Sequence, residues 1–159
     1  MAQQLSRSNK IKLFVITSLV VGLVIVVNLP NLLKATPPAT TLLTQDDSCQ
    51  LKSSPCVAAD AKHAVQLEIK ADQISSAQPM LFEVTLNDVA ADQVMLDLTG
   101  KHMYMGINQV QLNNIQGTNR WQGEVSLAVC ATGEMTWVTS VLAAKGQEIT
   151  QANFEFKAK

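Results

Sequence analysis

The chain has 159 residues and a net charge of −1, from 12 Lys and Arg against 13 Asp and Glu. That length fits one domain with accessories, and so even a balance leaves no electrostatic footprint for nucleic acid. Hydrophobic residues make up 47% of the chain, but they are unevenly placed.

Residues 1–12 carry Arg7, Lys10 and Lys12, and a run without charge follows: "LFVITSLVVGLVIVV" from Leu13 to Val27. Asn28 and Leu29 extend it to about 17 residues before Pro30, the lower limit for a helix that crosses a bilayer. A buried core helix is a poor alternative, since the run is apolar all round, rich in Val and Ile, and sits at the N-terminus. Basic residues precede it and only Lys34 follows closely. The positive-inside rule therefore puts residues 1–12 in the cytoplasm and the rest across the membrane. A cleaved signal peptide is the alternative, with "LKAT" as a weak cleavage site, but the run is long for a signal-peptide core. No lipid-accepting cysteine lies near its end. The expected placement is a single-pass anchor, residues 13–29, in a bacterial inner membrane, with the remainder in the periplasm.

Residues 30–62 lack steady periodicity. "KATPPATTLLTQDDS" is rich in Pro and Thr and reads as an extended linker. Cys49 and Cys56 bracket "QLKSSP" near its end. Outside the cytoplasm such a pair is expected to oxidise, and the short loop would stiffen the start of the domain; two free thiols are the alternative. Pairing them leaves Cys130 over, which in an exported domain is either a small buried apolar residue or a ligand.

From His63 onward the pattern alternates with period two. Val65, Leu67 and Ile69 share one face, as do Phe82, Val84 and Leu86, and then Val94, Leu96 and Leu98. "GINQVQLNNI", "RWQGEVSLAVC", "MTWVTSVLAA" and "ITQANFEFKA" continue it, separated by turn-forming clusters. The expectation is an all-β domain over 63–159, an immunoglobulin-like or cupredoxin-like sandwich of about seven strands.

Catalytic patterns are sparse. There are two histidines, no Gly-x-Ser-x-Gly, no His-Glu-x-x-His and no glycine-rich phosphate loop. Cys130 with His102 lacks a recognisable orienting residue, and the chain is not expected to be an enzyme. The chemistry worth weighing is sulfur. In "KHMYMG", Met103 and Met105 share a face if the segment is a strand, and soft thioether and thiolate ligands suit Cu(I). "CATGEM" adds Cys130 and Met135 around a glycine turn. The four sulfurs make a Cu(I) set if both segments share one end of the domain. His102 joins them if the strand breaks at Gly100, and Trp137 could cover a bound cation. The plainer reading is methionine as a flexible core filler.

"SCQLKSSPC", "VMLDLTGKHMYMGINQVQL" and "RWQGEVSLAVCATGEMTWVTSVL" together resemble a group of proteobacterial inner-membrane proteins with one N-terminal anchor and a small exported β-domain. In layout these are similar to the FixH-like and YtkA-like proteins, which are linked with copper supply and haem–copper oxidase assembly. The resemblance covers Cys49 to about Leu142. It rests on the Cys-x6-Cys loop, the Gly-x-x-Met-x-Met-Gly segment at Gly100–Gly106 and the Cys-x4-Met-x-Trp segment at Cys130–Trp137. It implies copper delivery or oxidase assembly, with oxidase-assembly or copper-handling proteins as partners. The alternative function is a metal-free protein–protein interaction module, with Tyr104 and Trp137 in its contact patch.

Overall fold

A computed structural model describes residues 7–32, 38–45, 49–52, 54–76, 78–129 and 133–159. Its chain divides into two compact units, Met1–Pro37 and Pro38–Lys159.

The first unit holds one helix, α1, Arg7–Leu32. Within it Lys10–Leu29 is a 20-residue span long and apolar enough to cross a membrane, about 30 Å at the helical rise. Two of its polar side chains bond back to the preceding turn. The Thr17 hydroxyl donates to the Leu13 carbonyl, and Asn28 Nδ2 donates to the Val24 carbonyl at 2.8 Å. Bonds back to the preceding turn leave these donors satisfied without water, as hydrocarbon requires.

Among the described residues the second unit has nine strands: β1 Ala39–Gln45, β2 Cys56–Ala59, β3 Ala64–Lys70, β4 Met80–Asn87, β5 Gln93–Gly100, β6 Gln109–Asn114, β7 Arg120–Val125, β8 Met135–Lys145 and β9 Glu148–Ala158. They close into a barrel in the order β1-β2-β3-β4-β7-β6-β5-β8-β9, with β9 returning to β1. Every pairing is antiparallel except β1 with β9.

The alternating runs face inward as their spacing requires: Val65, Leu67, Phe82, Val84, Val94, Leu96 and Leu98 are all buried. From β8 and β9 come Trp137, Val141, Phe154 and Phe156. Phe82 meets Phe156 edge-on across the interior, with ring centroids 6.0 Å apart, a favoured aromatic geometry. The all-β expectation holds, but the domain has nine strands in a closed ring in place of about seven in a sandwich. It also starts earlier than His63. The stretch 30–62, read as linker from its composition, carries β1 and β2. β1 hides only Leu43, and β2 is the short, small-residue segment "CVAA", so neither shows a long apolar alternation.

β1 and β6 close the ring by changing partners. β1 pairs with β9 as far as Leu43↔Ala152, then with β2 through Thr44↔Ala59 and Gln45↔Ala58. β6 pairs with β5 as far as Leu112 and then with β7 through Asn113 and Asn114. Cys49 and Cys56 form a disulfide with Cα atoms 5.7 Å apart, which fastens the segment after β1 to the start of β2.

The barrel has two distinct ends. The chain enters beside the β8–β9 turn, since Ala39 is paired with Glu148. The opposite end carries the loops β5–β6 and β7–β8, and Met135↔Ala158 marks the close of β9 there.

Candidate functional site

The sulfur-bearing segments lie at this second end. β5 stops at Gly100, so Lys101–Asn108 is a loop and not a strand. The expected strand alternation of Met103 and Met105 therefore does not apply. The loop is fastened at its base by the Lys101 amide donating to the Thr136 carbonyl and the Leu98 amide donating to the Asn108 carbonyl, each at 2.9 Å. Asn108 Nδ2 also donates to the Ser126 carbonyl at 3.2 Å, tying this loop to the chain after β7. Gly106 and Gly133 turn their loops with φ of 83° and 95°, angles that cost glycine little and most residues much.

Gly100 is the floor on which the two segments meet. A methyl group placed there would stand 2.5 Å from Met135 Cε and 3.1 Å from Met105 Cγ, and would run into the Met103 carbonyl oxygen. Cε of Met135 and Cγ of Met105 are each bonded to their own sulfur, so both thioether side chains border the space above Gly100. Both side chains are half-buried and pack on the edge of the core. The register explains the placement, since Gly100 pairs with Trp137, two residues beyond Met135.

The other expected site residues fall differently. Met103 is 46% exposed and brings its backbone oxygen to Gly100. His102 is exposed. Trp137 is 1% exposed: it points into the barrel from β8, so it covers no surface cation and belongs to no contact patch. Cys130 lies outside the described residues. Among the described residues, no three His, Cys, Asp or Glu side chains group as a metal-binding cluster.

The same two loops carry an apolar surface. Tyr104 is 84% exposed, and Ile107, Val129 and Met103 are exposed with it. Ile107 and Val129 escape the sequence reading because each sits in a run otherwise read as strand. Gly106, directly before Ile107, is the signal that the strand has ended.

No family model, curated protein or solved structure matches the chain.

Proposed function

We propose that this chain is a membrane-anchored periplasmic protein that binds Cu(I) and assists copper delivery or respiratory-oxidase assembly. The observation that carries the reading is the meeting of Met105 and Met135 over Gly100. Two neutral, polarisable thioethers at a half-buried barrel end suit a soft monovalent cation, because they add no charge that burial would penalise. Cys130, which stands in sequence between Val129 and Gly133, supplies a thiolate in this reading. Met103 and His102, on the adjacent loop, are groups able to close on the ion. The basic residues Arg7, Lys10 and Lys12 at the start of α1 and their scarcity after it support the periplasmic side.

The test is titration of the reduced full chain in detergent with Cu(I) against a competing Cu(I) chelator. Met105→Leu and Met135→Leu keep side-chain volume and remove the donor; each is expected to weaken binding at least about tenfold, as is Cys130→Ser. Absence of competition by the wild-type chain, or unchanged affinity in all three variants, overturns the reading.

A second reading, a metal-free protein–protein module, is favoured by the exposure of Tyr104, Ile107 and Val129 on neighbouring loops. Tyrosine and aliphatic side chains of this kind form interface centres. It is preferred if Tyr104→Ser abolishes partner binding while the wild-type chain fails the copper titration.

A further inference from the structure

The ring of strands closes through β1, which buries one side chain, Leu43. Its ladder with β2 consists of Thr44↔Ala59 and Gln45↔Ala58. Elsewhere the ladders are longer: β3 meets β4 over Ala64–Lys70, and β5 meets β8 over Gln93–Gly100. The β6–β7 seam is as short as the β1–β2 seam, but packing closes it. A methyl group at Gly123 would stand 2.7 Å from Leu112 Cδ2, so the buried Leu112 sits directly on β7. The β1–β2 seam is closed by the segment that follows β1. There the Cys49–Cys56 bridge encloses Leu51, which is 3% exposed and belongs to the core. Lys52, Ser54 and Pro55 beside it are exposed. The bridge confines this loop, and Leu51 is the side chain by which the loop grips the core.

The two halves of the bridge differ in access. Cys56 has no exposure. Cys49 is half-buried and lines a cleft over the outer face of β8 and β9, beside Thr136 and Val138. An incoming thiolate therefore reaches Cys49, and access decides which sulfur of a disulfide is attacked. Once the bridge is open, little else fixes the loop. Gln45 Nε2 donates to the Cys49 carbonyl at 3.4 Å, a long and weak bond. A loop released from its cross-link regains chain entropy, which ordering Leu51 must then overcome.

We propose that the Cys49–Cys56 bridge is a redox-sensitive strap, which a dithiol reductant opens to free Leu51 and the β1–β2 seam while the rest of the barrel stays folded. One thiolate of the reductant attacks Cys49 Sγ, the S–S bond breaks, and Cys56 leaves as a thiolate and takes up a proton. The second thiolate of the reductant then attacks the reductant's own sulfur in the mixed disulfide and releases Cys49, which is protonated in turn. Two electrons pass to the cysteine pair, and the reductant ends as its own disulfide. β1 runs parallel to β9, so the strap stands at the barrel end that carries the β5–β6 and β7–β8 loops. Its opening does not depend on metal binding at those loops.

The experiment uses the full chain in detergent, with and without dithiothreitol and free of denaturant, and reads amide hydrogen exchange by mass spectrometry. The expected result is reduction of the bridge in the folded chain, with exchange over 39–45 and 49–59 at least about tenfold faster. Exchange in β4 and β8 is expected to stay as it is in the oxidised chain. Leu51→Ala, with the bridge intact, is expected to speed exchange over 49–59 at least about threefold. A bridge that resists dithiothreitol until the chain is denatured overturns the proposal. So does unchanged exchange in β1 and β2 after reduction, or an oxidised Leu51→Ala chain that exchanges like wild type. A rise of equal size in β4 and β8 also overturns it, because the bridge is then a staple of the whole barrel.

Discussion

Met135 occupies the space in which any side chain at Gly100 would stand: its Cε lies 2.5 Å from the position of such a methyl group. Met135 is flexible enough to swing aside, but the Met103 carbonyl that borders the same space is backbone and moves only with its loop. Gly100→Ala is therefore expected to separate Met105 from Met135 and to shift the β5–β6 loop. The predicted cost is about 1–3 kcal/mol of stability, the usual scale of overpacking. Copper(I) affinity is expected to fall at least about tenfold, read by the chelator competition. An alanine variant with wild-type affinity would remove Gly100 from the site.

Glu83 gives the barrel an acid-sensitive element. Its carboxylate is 6% exposed, yet it accepts from Lys70 Nζ at 2.9 Å and from Arg120 through Nε at 2.8 Å and Nη2 at 2.6 Å. Burial pushes its pKa up, but the hydrogen bonds from Lys70 and Arg120 outweigh that and hold it below the usual carboxylate value. A carboxylate whose pKa is lowered by folding contributes stability that is full above its unfolded pKa. That stability is lost as pH falls through the folded value. Lys70 and Arg120 are themselves 38% and 43% exposed, so solvent screens the cluster and the contribution is modest. Glu83→Gln is expected to cost about 1–2 kcal/mol at pH 7, with the gap to wild type closing as the solution is taken below pH 4. Urea midpoints of both chains across that range check it. Asp60 is also held low, at about 2, chiefly by the amides of His63 and Lys62. It is common to both chains and cancels in the comparison.

Thr139 is the reverse case. It faces the barrel interior from β8 with no exposure, and its hydroxyl has no hydrogen-bond partner. A buried hydroxyl without a partner costs stability that a methyl group of similar size does not. Thr139→Val is expected to stabilise the barrel by about 1 kcal/mol, seen as a raised urea midpoint with unchanged slope. A loss of stability would mean that the hydroxyl is bonded after all.

The strands that could be read from the sequence were those whose inward residues are large and regularly spaced. Val65, Leu67 and Ile69 hide their side chains because a pleated strand sends alternate residues to one face. β1 and β2 were hidden for the opposite reason. β1 has Leu43 as its one buried residue, and its pairing with β9, more than a hundred residues away, leaves no local mark. At the loops, the residue types were legible and their geometry was not. Alternation assigns Met103 and Met105 to one face of a strand, but β5 ends at Gly100, where the Lys101 amide bonds to Thr136. Once the strand ends, alternation no longer sets the two residues. Met105 turns in toward Met135, and Met103 presents its carbonyl. Trp137 read equally well as a surface cover and as core, and the register of β8 against β9, with Trp137↔Phe156, sends it inward.

The pairing of Ala39 with Glu148 carries a consequence for synthesis. The strand that opens the barrel finds this partner only after more than a hundred further residues have left the ribosome. Until then β1 and β8 both present bare edges, and contacts so distant in sequence form slowly. Any product truncated before Glu148 keeps those edges for good and is a ready substrate for aggregation or proteolysis. The parallel β1–β9 seam thus acts as a check on synthesis, closing the barrel only in chains that have reached β9.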